Sequence, residues 1–218
     1  MAAFVVAIDG PAASGKGTLA RRLAAYFNLA HLDTGKLYRA TAFLALARGG
    51  DPADPAAAEA AARQVDPATL DDPRLLSEAV AQASSVVAAM PEVRAALLRF
   101  QREFAARPPG GRRGAVLDGR DIGTAVCPDA AVKLFVTASP EVRAERRVRE
   151  LRRRGAAAIY QNVLQDMTER DARDEGRRAA PLAAASDAVI IDTTALDADQ
   201  AFERASEIIG RALAAHGP

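Results

Sequence analysis

One short stretch, IDGPAASGKGT at residues 8 to 18, constrains this chain more than any other. Gly10, Pro11, Ala12, Ala13, Ser14, Gly15 and Lys16 follow the spacing of a phosphate cradle, G-x-x-x-x-G-K, after which Ser or Thr is usual. Here Gly17 comes next and the hydroxyl waits until Thr18. In front of the loop, FVVAID at 4 to 9 is a continuous apolar run that reads as a buried parallel strand. Behind it Leu19, Leu23, Ala24 and Phe27 recur at helical spacing. Strand, glycine-rich turn and helix, in that order, offer an anion a row of backbone N–H groups and a helix N-terminus. Lys16 adds a point charge for outer phosphates, and Thr18 a hydroxyl for phosphate or Mg²⁺. A plain strand–turn–helix would need only the flexible glycines, but the loop sits in the context the motif requires.

The rest of the chain follows the same plan. AHLD (30 to 33), AVLD (115 to 118), VKLFVT (132 to 137) and AVIID (188 to 192) read as further strands, the last three as central ones. Helices are expected from about Thr34 to Arg48, over 76 to 90 and 92 to 106, from the Ser-Pro start at 139 to 140 to about 154, from after GAAA to about Arg178, and over 199 to 215. The segment 49 to 75, rich in Pro, Asp and Ala, reads as short helices and turns outside the main sheet, and 107 to 114 as a loop. Strands alternating with helices imply an α/β fold, an open parallel sheet with helices on both faces.

With 218 residues the chain suits a single domain, 1 to 218. Its 29 basic and 28 acidic residues balance, which argues against wholesale binding to nucleic acid or anionic membrane. One cysteine, Cys127, excludes an internal disulfide and suits a reducing cytoplasm. The N-terminal apolar run is broken at Asp9, so neither leader nor membrane anchor is expected. Lys16, Lys36 and Lys133 are the only lysines among many arginines.

The order Gly17–Thr18 is a variant with a meaning. G-K-G-T resembles the loop of adenylate and cytidylate kinases, and the guanine reader N-K-x-D of GTPases is absent. LDTGKLYR (32 to 39) and LDGRDIGT (117 to 124) fall at or just beyond strand ends, where open α/β sheets bind ligands. Together with VRAERR (142 to 147), RDARDEGRRAAPL (170 to 182) and IDTTAL (191 to 196), they resemble the bacterial cytidylate kinase family almost from end to end.

That resemblance implies a P-loop NTPase-type sheet, a helical monophosphate-binding lobe over 35 to 114 and a short lid over 150 to 162. It implies phosphoryl transfer from ATP to CMP or dCMP with Mg²⁺, by a cytoplasmic monomer that binds neither nucleic acid nor membrane. Residues 10 to 18 would hold ATP, with Arg147 and Arg153 from the lid base and Arg149 a further candidate there. Arg170 and Asp174 go to the ribose, and Arg39, Arg120 and Arg177 to the acceptor phosphate. Lys16, Arg120 and Arg177 carry the catalytic charge. Cytosine offers an N4 donor, which Asp can accept, and O2 and N3 acceptors for Arg or a hydroxyl; the readers by resemblance are Asp121, Arg94, Ser85 and Thr34. Tyr38 packs on the nucleotide or in the core. Asp118, ending a strand, and Thr18 would serve Mg²⁺. The acceptor is already an anion, so no general base is required.

Read alone, several of these residues allow plainer roles. Arg170, Asp174 and Arg177 at i, i+4 and i+7 share one helix face, which suits a solvated ion-paired face as well as a phosphorylated sugar. RAERRVRELRRRG at 143 to 155 could be an RNA-binding stripe, though without interleaved aromatics. A kinase of UMP or AMP is the nearer alternative. Neither His31 nor His216 has an evident acid–base partner, and Cys127 reads as a small core residue. Two features depart from the family pattern. Residues 49 to 75 are too short for an extra β-hairpin, and Lys36 stands where a small or apolar residue is common.

Overall fold

The computed structural model describes residues 3–216. Among them five parallel strands form one sheet: β1 (Phe4–Asp9), β2 (Ala30–Asp33), β3 (Gly114–Gly119), β4 (Val132–Thr137) and β5 (Val189–Asp192), in the order β2-β3-β1-β4-β5. Because side chains alternate along a strand, β1 serves both faces. Phe4, Val6 and Ile8 pack with Val116 and Leu134 beneath α1 (Lys16–Tyr26) and α8 (Ala198–His216), through Leu19, Leu23, Ala205 and Ile209. Ala7 turns the other way with Leu32, Ala115 and Leu117, under α5 (Pro91–Ala106) through Ala105. This is the expected sheet covered on both faces.

A second core belongs to the helical lobe. Leu37 and Ala42 of α2 (Thr34–Ala47) pack with Ala58 and Ala62 of α3 (Pro55–Ala62), Val80 and Val87 of α4 (Glu78–Val87), and Val93 and Leu97 of α5. A third joins α6 (Pro140–Arg153) and α7 (Tyr160–Glu175) through Ala144, Val148, Val163 and Met167. Ala12 and Ala13 of the glycine-rich loop pack against this third cluster, so the loop and the two helices share one surface.

The departures from the sequence reading have physical causes. AVIID is an edge strand and not a central one: β5 pairs only with β4, and Val189 and Ile190 are exposed. Its apolar run fits either place, and nothing local distinguishes an edge. The helix read from 76 begins at Glu78, because the Ser77 hydroxyl accepts from Val80 N and caps it there. The helix expected to reach Arg178 stops at Glu175, with Gly176 as its cap. Residues 49 to 75 hold α3 and two 3₁₀ turns, Pro67–Thr69 and Pro73–Leu76, each begun by an Asp–Pro pair whose carboxylate caps it. A wide π-type turn at Ile122–Val126 was not legible in DGRDIGT.

Candidate active site

The carboxyl ends of β1, β2 and β3 meet at the mouth of one cavity of about 510 Å³, floored by the glycine-rich loop and walled by α2, α4 and α7. The loop is shaped by sterics. Gly10 has φ +148°, and a Cβ there would lie 2.0 Å from the Val136 carbonyl oxygen, so only glycine lets the chain pass β4. Lys16 lines the cavity and its Nζ donates to the Pro11 carbonyl at 3.1 Å. Burial pushes its ammonium down to about 7. Arg120 adds to that and Asp118 and Asp33 oppose it. Ala12, Ala13 and Gly17 share the wall, and Ser14 Oγ is buried with no partner among the described residues. Gly10, Pro11, Ser14, Gly15 and Thr18 lie beside the cavity rather than on its wall, with Thr18 exposed.

Three aspartates lie at or next to the carboxyl ends of three adjacent strands: Asp9 and Asp33 are the last residues of β1 and β2, and Asp118 is the last but one of β3. Asp9 accepts from the backbone N–H groups of Ile122 (2.7 Å) and Gly123 (2.8 Å), pinning the π-type turn that follows Arg120 and Asp121. Burial raises its carboxyl to about 6 against those two hydrogen bonds. Asp118 is buried, and in the sheet register it is paired with Asp33. Burial and then the Asp118 charge push the Asp33 carboxyl up. Asp33 was not singled out from the sequence, where it reads only as a strand end leading into a helix.

His31 does have a partner: its Nε2 lies 2.8 Å from Asp118 Oδ1, across the β2–β3 pair. The sequence places them 87 residues apart, which hides the contact. His216 instead sits edge-on to Phe4 at 5.2 Å. Thr34 donates its hydroxyl to the Asp118 carbonyl at 2.9 Å. A Cβ on Gly119 would lie 2.6 Å from that hydroxyl oxygen, so β3 ends in glycine where α2 begins.

Asp174, wholly buried on α7, gathers the arginines. Arg120 Nε donates to it at 3.0 Å, Arg177 pairs with its other oxygen, and Arg170 Nε lies 4.0 Å away. Burial favours its neutral form, but the three guanidiniums outweigh that and hold the carboxyl below the ordinary value. Burial and then Arg120 push Arg170 down to about 9, still charged at neutral pH. The Nε groups of Arg170 and Arg177 are buried without a hydrogen-bond partner among the described residues. Arg39 completes the ring, donating to the Leu75 carbonyl at 3.2 Å.

The far wall holds the remaining expected residues. Arg94 pairs with Asp121, and its guanidinium lies 5.7 Å from the Tyr38 ring centroid. Tyr38 is both a lobe core residue and a cavity residue, and burial raises its phenol. Burial also raises the Asp121 carboxyl in spite of Arg94, Arg177 and Arg120. Ser85 is buried and accepts from Arg173 at 2.6 Å. Arg173 also lines the cavity, yet i+3 from Arg170 it reads simply as another surface arginine.

The arginine-rich stretch is in part ion-paired, and Arg146, Arg152 and Arg153 donate instead to hydroxyl or carbonyl oxygens. Arg143 pairs with Asp171, Arg147 with Glu78 and Glu150, and Arg154 with Glu150. Arg147 lines the cavity. Arg149 and Arg153 are exposed outside it, Arg153 Nε donating to the Arg149 carbonyl. Lys36 points away from the cavity to an exposed pairing with Asp71.

Comparison with known proteins agrees with this geometry. A family model described as cytidylate kinase matches residues 6–211. The chain is 60% identical over 206 residues to a cytidylate kinase of Rhodospirillum rubrum, covering 94% of this chain and 97% of that protein. It is 63% identical over 207 residues to a cytidylate kinase of Paramagnetospirillum magneticum, with the same coverage. Among solved structures, an uncharacterized protein from Eubacterium ventriosum shares the fold at 14% identity, with a TM-score of 0.54 over 95% of this chain and 98% of that one.

Proposed function

The chain belongs to the cytidylate kinase family, and on that premise we propose that it moves the γ-phosphoryl group of ATP to CMP or dCMP in the cavity beside the glycine-rich loop. One observation carries the reading: Arg170 and Arg177, whose Nε groups are buried without partners among the described residues, line the same cavity as Lys16. Buried cations with spare donors call for an anion of high charge. A nucleoside monophosphate meeting the outer phosphates of ATP supplies one.

The residues divide the work by position. Loop amides and Lys16 hold the donor phosphates from one side. Arg39, Arg120 and Arg177 hold the acceptor phosphate from the other, so the two oxyanions are brought in line and their repulsion is offset. Asp174 fixes Arg120 and Arg177 in place and, with Arg170, faces the ribose. Asp121, Arg94, Ser85 and Thr34 read the base, and Tyr38 packs beneath it. The acceptor oxygen is already ionised, so no proton has to be removed before attack. Residues 35–114 form the monophosphate lobe. The segment 150–162 closes with Arg147 and Arg153 to exclude water. The ion pairing of Arg143, Arg147 and Arg154 supports a reading without nucleic acid, and we place the enzyme in the cytoplasm as a monomer.

The donor set also fits Mg²⁺. Asp118 and Asp33 bring hard carboxylate oxygens side by side, and the raised Asp33 carboxyl marks a place that favours a cation. Thr18 and Asp118 would hold the ion, with Asp33 beside them. When bound, it would neutralise charge on the outer phosphate oxygens of ATP.

Lys16→Ala tests the cradle. Turnover should fall by at least ~100-fold, with an unfolding midpoint close to that of the parent. Unchanged turnover in a folded variant would refute the reading.

A further inference from the structure

The base-reading wall carries a hydrogen-bond relay that the roles above leave unused. Ser85 Oγ lies 3.1 Å from the Gln82 carbonyl on its own helix, and Arg173 Nη1, reaching across from α7, lies 2.6 Å from the same oxygen. A guanidinium can only donate and a carbonyl can only accept. Ser85 Oγ therefore accepts from Arg173, and its single proton points at Gln82. A serine oxygen has two lone pairs, of which Arg173 takes one. The other remains for the cavity that Ser85 lines.

An unpolarised serine hydroxyl rotates to suit either a donor or an acceptor, so it cannot tell an exocyclic amine from a carbonyl. With its proton committed, Ser85 can only accept. The Asp121 carboxylate, on the same wall, is also an acceptor. A carbonyl at C4 of the pyrimidine would meet lone pairs from both Ser85 and Asp121, whereas an amino group there would be matched.

We infer that Arg173 is a specificity-determining residue: by donating to Ser85 it fixes that hydroxyl as an acceptor, and so favours a pyrimidine monophosphate with a 4-amino group over one with a 4-carbonyl. The inference rests on the reading of Ser85 as a contact of the base. It reverses the sense expected from sequence, in which a hydroxyl serves O2 or N3.

The test is direct competition of CMP with UMP in one reaction. The ratio of the two kcat/KM values then cancels any difference in folded fraction. Arg173→Met and Ser85→Ala should each lower the parent's preference for CMP by ~10-fold, the worth of one well-placed hydrogen bond. The double variant should lose no more than either single one, because both act through one oxygen. A lowered ratio in Ser85→Ala with the parent ratio in Arg173→Met would overturn the inference and leave the base reading standing. Additive losses in the double variant would also overturn it, since Arg173 would then act independently of Ser85. Parent ratios in both single variants would overturn the inference together with the reading of Ser85.

Discussion

Asp174→Asn should be the most damaging near-isosteric change in the cavity. The side chain of Asp174 is 1% exposed, and those of its partners Arg177, Arg120 and Arg170 are 4%, 16% and 24% exposed, so solvent screens the cluster weakly. One unit-charge pair at 4 Å is worth about 4 kcal/mol at an effective dielectric near 20. Three such attractions are offset by the desolvation of the ions and by repulsion among the guanidiniums. Breaking a buried pair from one side nets ~3–5 kcal/mol, because the opposite charges stay behind uncompensated. Urea unfolding followed by circular dichroism reads this as a midpoint lowered by about 1 M or more. Inorganic phosphate should restore more stability to the variant than to the parent, since an anion replaces the missing charge. The pH dependence has a definite sign. A carboxyl held below its unfolded value of 3.8 contributes stability above that value and loses it as pH falls through the lower folded one, so the gap between variant and parent should close in acid. A loss under ~1 kcal/mol at pH 7, or a gap unchanged by acid, would refute the view that Asp174 organises the arginines.

Two further perturbations follow from the buried groups around the loop. With Lys16 held at about 7, ATP phosphates should return its proton on binding, so calorimetry at pH 8 should show proton uptake as a heat that varies with buffer ionisation enthalpy; a buffer-independent heat would contradict this. Between about 7 and 10.5 the unfolded chain binds more protons at this lysine, so its contribution to stability rises with pH across that window. Asp9→Asn leaves one of two buried N–H groups facing an amide that cannot accept from it. We expect a loss of ~1–3 kcal/mol and a larger rise in KM for CMP than for ATP, because the π-type turn follows Arg120 and Asp121. Equal KM changes for the two substrates would argue against that role. The Asp9 carboxyl, raised from 3.8 to about 6, binds its proton better in the folded chain, so its contribution falls as pH rises through that interval.

The strand–loop–helix at 4 to 26 was legible because each of its signals is local: an apolar run, a glycine spacing and a 3.6-residue repeat. Arg170 and Asp174 were legible as one face of α7 for the same reason, whereas Arg177, read as the next position on that face, lies past the end of the helix and reaches Asp174 from the loop. What the sequence hid depends on pairing between distant elements. Asp33 matters because β2 lies in register with β3 and puts it against Asp118; the same register brings His31 to Asp118. Arg173 and Ser85 meet across 88 residues because α7 packs beside α4. The edge position of β5 is likewise a property of strand order, to which an apolar tetrapeptide is blind. Asp9 reads as the polar end of a strand until the π-type turn brings two N–H groups to it.

In the proposed reaction one cavity joins ATP's outer phosphates to a cytosine monophosphate. A coupled ADP-release assay with ATP and Mg²⁺ tests it most directly, with CMP, dCMP, UMP, AMP and GMP offered in parallel. Rapid turnover with CMP and dCMP is expected, with a strong preference for them over the other three. Turnover centred on UMP or AMP would contradict the roles given to Asp121, Arg94 and Ser85, and no turnover with any acceptor would contradict the kinase reading itself.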